Sequence, residues 1–299
     1  MRTDPAFAGG RRFFKGNLHT HSDRSDGALS PAAVCAAYRE RGYDFLALTD
    51  HFQAKYGFPV VDTRPFRSNR FTTLLGAEVH APQTCLGHTW HILAVGLPQD
   101  FAPTAHDETG PALAERCAAA GAYVAIAHPA WYGLTVEDAE SIACAHAIEI
   151  YNHTSQVRTS RGDGTAHADQ LHARGRRLGL CAVDDAHFHC ADAFGGFVMV
   201  AADANEPEAL IESLKAGRYY ASQGPVIEHV AYAHDSVEIA CSPAHAVMVL
   251  GRGSRATQRL GDGLTRVVLP LEAIAPGGYA RVVVADAEGR RAWTNPVWF

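Results

Sequence analysis

Short apolar runs, each closed by one or two metal-ligating side chains, recur along the chain. Phe13 to Leu18 runs into His19-Thr20-His21, Phe45 to Thr49 into Asp50-His51, and Leu74 to Ala77 into Glu78. Further on, Tyr123 to Ala127 runs into His128, and Leu178 to Val183 leads to Asp185-Ala186-His187. Runs this short, apolar on both faces, predict strands covered from both sides. Between the first two, Ser30-Pro31 supplies an N-cap and a first-turn proline, Val34, Ala37 and Tyr38 an inward stripe, and Gly42 a stop. The same alternation predicts strands at 71–78, 91–96, 122–127, 147–151, 178–183 and 196–201, and helices near 108–120, 135–145, 165–175 and 206–216. Strands alternating with helices predict parallel βα units. Candidate ligands from at least five strand ends must converge. A closed barrel achieves that more readily than an open doubly wound sheet, with the ligands at its mouth.

From Gly224-Pro225 the texture changes to short alternating runs at 226–232, 236–240, 246–250, 265–269 and 279–284 between Gly, Pro, Asp and Ser turns. This predicts two parts, an α/β barrel over 1–224 and a small antiparallel, sandwich-like β domain over 225–299. At 299 residues, 47% apolar and 19% charged, the chain has the composition of a globular protein. Its net charge of -6 and lack of a long basic run argue against duplex nucleic acid as a partner. No stretch approaches the roughly 20 apolar residues needed to span a bilayer, and seven scattered cysteines without CxxC pairs read as reduced thiols. A cytoplasmic protein without a membrane partner is expected.

Imidazoles at i and i+2 on a strand end point the same way, so His19 and His21 with a nearby carboxylate suit one divalent metal or two adjacent ones. The joint set of histidines and carboxylates would be costly to bury without a cation to offset repulsion and desolvation. Its histidine and carboxylate donors, with no cysteine among them, suit Mn, Zn or Fe. Arg24, Arg158 and Arg161 are candidates to clamp an anionic group, and Asn152, in Tyr151-Asn152-His153, to reach substrate or support a ligand. Phe52, Tyr56, Phe58, Trp90, Trp131 and Tyr132 are candidates for an apolar pocket, while His80, His167, His172 and His189 read as surface or supporting residues.

The stretches Gly16 to Gly27, with His19-Thr20-His21 and Asp26-Gly27, and Leu46-Ala-Leu-Thr-Asp-His51 resemble the first two motifs of the polymerase and histidinol phosphatase (PHP) metallohydrolases. The resemblance covers roughly residues 13–223, and Gly217 to Pro225 followed by a β tail is similar to the carbaryl-hydrolase-like (CehA/McbA) branch. It implies a distorted TIM-like (β/α)7 barrel and a site of two or three divalent ions. The pattern assigns His19, His21, Glu78 and Asp185 to a first ion and Asp26, His51 and His187 to a second. Glu78 bridges to a third, completed by His91 and His128, with His88 standing near His91 as an alternative or a substrate contact. Asn17 replaces an acidic residue found in many relatives, and Asp184 precedes the expected Asp185. The resemblance implies a metal-dependent hydrolase, with a phosphoesterase acting on a small phosphorylated ester preferred. A carboxylic-ester or carbamate hydrolase and a non-catalytic scaffold are the alternatives.

Overall fold

Alternation along each strand sorts the chain into an inner and an outer layer in the computed structural model, which describes residues 2–299. The chain runs β1 (Arg2–Thr3), β2 (Arg12–Asn17), α1 (Pro31–Glu40), β3 (Phe45–Leu48), β4 (His51–Phe52), β5 (Thr72–Val79), β6 (Ile92–Val95) and α2 (Gly110–Ala119). Next come β7 (Tyr123–Ile126), α3 (Val136–Ser141), β8 (Ala147–Asn152), α4 (His153–Thr159), α5 (Thr165–Ala173), β9 (Gly179–Val183), β10 (Phe197–Ala202) and α6 (Pro207–Lys215). Strands β11 (Tyr219–Ser222), β12 (Ile227–Tyr232), β13 (Ser236–Leu250), β14 (Ala256–Pro270), β15 (Tyr279–Ala285), β16 (Arg291–Thr294) and β17 (Val297–Trp298) complete it. As expected, Ser30 caps α1 by accepting the Ala33 N–H, with Pro31 in the first turn.

Phe45, Ala47, Leu74, Leu93, Val95, Tyr123, Ala125, Cys181, Val183 and Val198 share one core on the inner face. Their neighbours along the strands point outward: Leu46 and Leu48 meet Val34, Cys35 and Tyr38 of α1, and Ile92, Val124, Ile126 and Ile148 meet Leu113, Ala114 and Cys117 of α2. The interior is tight enough to require glycine at position 16, where a Cβ would lie 2.1 Å from the Phe45 ring.

Hydrogen bonding corrects the expected ring of parallel strands. β3 pairs parallel with β2 and β5, and β8 pairs parallel with β7 and β9. However, β6 lies antiparallel between β5 and β7, and β10 antiparallel to β2. A parallel neighbour needs a crossover long enough for a helix, and neither connection, 80–91 nor 184–196, contains one. Nor does the ladder close. Beyond β9 it meets the exit of β2 only through the isolated bridge Thr20–Ala186, with Asp185 N–H donating to the His19 carbonyl and His21 N–H to that of Ala186. The result is an open mixed α/β sheet.

The sheet continues from β11 to β16 and on to β15 and β13, with a second core of Val230, Ile239, Val247, Val249, Val267, Leu269, Val282 and Val284. The runs 236–240 and 246–250, expected as separate strands, form the single strand β13, whose register against β14 shifts between Ala240 and Ala246. Pro243, which has no N–H to give a ladder, sits at this irregularity. Sequence patterning missed α4, and α3 is shorter than the expected 135–145. Among the described residues no helix is long and apolar enough to cross a membrane, and all seven cysteines are unpaired.

Asp4 marks the seam between β1 and β12: its Oδ1 accepts the Ala6 N–H at 3.0 Å, while its Oδ2 is buried without a partner. Burial pushes its carboxyl up from the ordinary 3.8 to about 6, against the pull of the Ala6 N–H and Arg2. A carboxyl raised on folding destabilises the fold when ionised; that cost is present in full above pH 6 and vanishes as pH falls to the unfolded value. The shift corresponds to about 3 kcal/mol. Asp4→Asn is expected to raise unfolding free energy at pH 8 by about 1–3 kcal/mol, with wild type catching up as pH falls below 6. Urea titrations at pH 5 and pH 8 check this, and equal stabilities at pH 8 would contradict it.

Candidate metal centre

The rim of the sheet collects the candidate ligands because strand direction and sequence position cooperate. His19 and His21 follow β2, His51 begins β4, Glu78 is the penultimate residue of β5, His128 follows β7, and Asp185 and His187 follow β9. The reversal of β6 places His91, immediately before that strand, at the same rim, which separates it from His88. His88 is exposed and outside the cavity described below.

Glu78, fully buried, is the hub. Its Oε1 lies 2.7 Å from His91 Nδ1 and 2.9 Å from His128 Nε2, and its Oε2 lies 2.5 Å from His51 Nδ1 and 3.7 Å from both His19 Nε2 and His21 Nε2. Asp185 Oδ1 stands 3.3 Å from His19 Nε2 and 2.9 Å from His21 Nε2. A second group forms where Asp26 reaches His51 Nε2 and His187 Nε2, each at 3.4 Å. Among the described residues, four combinations bring ligand atoms within 4.8 Å of one another: His21, Asp26, His51 and His187; His19, His21 and Asp185; His19, Glu78 and His128; and His51, Glu78 and His80.

The donor set fits metal. His19 Nε2, His21 Nε2 and Glu78 Oε2 are buried, adjacent and without an aligned hydrogen-bond partner, an arrangement that costs free energy unless a cation completes it. Supporting contacts fix ring orientations as metal ligands require. The Nδ1 of His187 donates to the Asp185 carbonyl at 2.7 Å, leaving Nε2 toward Asp26. His80 Nδ1 donates to the Trp90 carbonyl at 3.0 Å, so its Nε2 accepts from His51 Nδ1 at 2.9 Å. His80 is thus buried against the site and not at the surface. Likewise His172 is buried, donating to the Leu178 carbonyl, while His189 is exposed.

The electrostatics are correspondingly strained. Burial and the neighbouring His187 and His51 push the His21 imidazole down to about 3, and burial likewise pushes His91 to about 3. Burial alone would lower His51, yet the Glu78 carboxylate and Asp26 raise it to about 10. Burial would raise Asp26, Asp185 and Glu78, but the surrounding histidines hold all three well below the usual carboxylate range. Backbone strain gathers here too: His128 and Asp185 adopt φ of 20° and 57°, conformations costly for side chains other than glycine.

Three residues beside the set were not assigned from sequence. Glu149, on the inner face of β8, sits 2.6 Å from His19 Nδ1. Its signal was a lone carboxylate inside the apolar run 147–151. Asp50 accepts from Ser22 N–H, Ser22 Oγ and Ser25 Oγ, each at 2.7 Å, tying down the loop that carries Asp26. Asp184 accepts from Tyr38 Oη and the Phe194, Gly195 and Gly196 N–H groups, so of the adjacent aspartates only Asp185 faces the histidines.

A cavity of about 360 Å³ opens over the cluster, lined by Asp26, His51, His91, His128, Asp185 and His187 on the floor and Trp131, Thr154, Ser155, Arg158 and Thr159 on the walls. Of the three arginines expected as candidate anion clamps, Arg158 lines this cavity. Arg24 is exposed beside Asp23, outside the cavity, and Arg161 reaches the Trp131 carbonyl without lining it. Asn152 is buried, donating to Glu149 and Asp185 and capping α4 through the Ser155 N–H. Its amide is taken up by those three partners, so of the two expected roles, reaching substrate or supporting a ligand, its contacts match the second. Of the expected aromatic wall only Trp131 lines the cavity. Tyr132 packs beside His91 and His128, Tyr56 stacks on His51, and Phe52, Phe58 and Trp90 belong to the core cluster.

No family model matches the sequence, and a comparison with curated proteins returns no match. Among solved structures, the chain is similar to a two-domain protein from Bacteroides vulgatus containing a predicted PHP-like metal-dependent phosphoesterase. The TM-score is 0.53 at 15% identity, over 99% of this chain and 97% of that one. An amidohydrolase from Chromobacterium violaceum aligns at TM-score 0.41 and 18% identity, over 59% of this chain and 89% of that one. The first of these likenesses shows a shared fold along the whole chain.

Proposed function

We propose that the protein is a PHP-type metal-dependent hydrolase of small phosphate esters. The observation that carries this reading is the buried Glu78 carboxylate, ringed by His19, His21, His51, His91 and His128 with His19 Nε2, His21 Nε2 and its own Oε2 unpartnered. His19, His21 and Asp185 would hold one divalent ion, Asp26, His51 and His187 a second, and Glu78, His91 and His128 a third, from among Mn, Zn and Fe. Bound there, such ions supply Lewis-acid polarisation of an ester oxygen and acidify a water. The chain itself fixes the ligand rings, keeps His21 and His91 neutral, and offers an anion the Arg158 guanidinium on the cavity wall.

Arg158 and the single aromatic on the wall favour a phosphate ester over a neutral aryl ester or carbamate, which would require a broader apolar lining. The separate core of the C-terminal strands supports a division into an α/β part over 1–224 and a small β part over 225–299, as in the CehA/McbA-like branch.

Initial rates of Mn-reconstituted protein on phosphomonoesters, phosphodiesters and aryl carboxylic or carbamate esters test the reading. Phosphate-ester turnover lost in His19→Ala is expected; turnover of uncharged esters alone would overturn it. Arg158→Ala is expected to raise KM for the phosphate ester about tenfold with a smaller change in kcat, since an ion pair made by this exposed guanidinium adds chiefly ground-state binding. An unchanged KM would remove Arg158 from the site.

A further inference from the structure

We propose that Glu149 is the positioning residue of the metal centre: one buried carboxylate that selects the ligating nitrogen of His19 and holds the backbone of His128 in place. The inference rests on the metal reading above and concerns a residue outside the ligand set. Glu149 is 1% exposed, on β8, with its side chain directed into the sheet interior. Its Oε1 lies 2.6 Å from His19 Nδ1. Its Oε2 accepts the His128 N–H at 2.8 Å and the Asn152 side-chain amide at 3.0 Å. The same Asn152 amide nitrogen lies 3.1 Å from Asp185 Oδ2. One carboxylate and one amide thus connect three residues of the proposed ligand set: His19, His128 and Asp185.

The donor and acceptor inventory makes the assignment specific. A carboxylate only accepts, so His19 must carry its proton on Nδ1, which leaves the Nε2 lone pair facing Asp185 and Glu78. The second oxygen satisfies the N–H of His128, a residue whose φ of 20° needs support from its surroundings. Glutamine at 149 cannot meet all these demands. If its carbonyl stays on His19, its NH2 faces two other donors, the His128 N–H and the Asn152 amide. If it turns over, its NH2 faces His19 Nδ1, which must then accept, and the ring proton moves to Nε2 where the metal would bind. Either arrangement weakens binding, and removal of such an outer carboxylate typically costs 10–100-fold in metal affinity.

The test compares wild type, Glu149→Gln and Glu149→Ala for Zn2+ affinity by chelator competition, with far-UV circular dichroism to confirm folding. It adds 15N NMR of the histidine rings in the Zn2+-loaded wild type, which does not depend on a variant folding. The expected result is a 10–100-fold loss of Zn2+ affinity in Glu149→Gln and a wild-type His19 ring protonated on Nδ1 and metal-bound through Nε2. Affinity within twofold of wild type in a folded Glu149→Gln, or a His19 ring ligating through Nδ1, would overturn the positioning role while leaving the metal reading intact. Failure of the wild type to bind Zn2+ would overturn the metal reading, and this proposal with it.

Discussion

Glu78→Gln is expected to lower kcat on the best phosphate ester at least about a thousandfold and to strip the protein of most of its bound metal. Oε1 of Glu78 is committed to His91 and His128, while Oε2, without a hydrogen-bond partner, faces His51 Nδ1 at 2.5 Å and His19 and His21 at 3.7 Å. Glutamine preserves the volume but removes the negative charge and places an NH2 group among ring nitrogens that would face cations. Losing several kcal/mol of transition-state charge stabilisation at such a centre corresponds to a factor of roughly a thousand or more. Metal analysis of purified protein and kcat measured with added Mn2+ check the two halves together. A variant that keeps full metal content and more than a tenth of wild-type kcat would remove Glu78 from its central place. Arg158→Ala, which touches no proposed ligand, provides the contrast: metal content should be unchanged while KM rises.

The convergence of the candidate ligands was legible because apolar runs ending in His, Asp or Glu report strand ends, and strand ends share a rim. Sequence patterning was less informative where side-chain spacing carried no directional signal. The run Ile92 to Val95 reads the same whether parallel or antiparallel, yet its reversal is what puts His91 at the rim and separates it from His88. Asn152 stood open between reaching substrate and supporting a ligand, and only its contacts separate the two: it caps the unforeseen α4 and serves two buried carboxylates. Glu149 escaped assignment because a single acidic residue among apolar neighbours has no spacing to recognise; its meaning lies in partners from β2 and β7, far away in sequence.

Asp184 and Asp185 show how neighbours with the same side chain should separate under mutation. Asp184→Ala is expected to cost on the order of 5 kcal/mol of stability, and Asp185→Ala to cost metal and turnover. The Asp184 carboxyl is fully buried and accepts from Tyr38 Oη at 2.6 Å and from the N–H groups of Phe194, Gly195 and Gly196, each at 2.8 Å. Alanine leaves those donors without an acceptor, at about 1–3 kcal/mol for each that water cannot reach. Burial outweighs these hydrogen bonds and lifts the carboxyl to about 6, so its contribution lies in acceptor geometry more than in charge. Asp185, at φ 57°, points the other way, toward His19 and His21. Thermal unfolding of the metal-loaded Asp184→Ala should fall on the order of 10 °C, with metal still bound per folded chain at low temperature. Asp185→Ala should bind less metal at temperatures where it remains folded. The opposite outcome, metal lost in Asp184→Ala and retained in Asp185→Ala, would mean that the ligating aspartate is the first of the pair, and the centre would have to be rebuilt around the Tyr38 side of the strand.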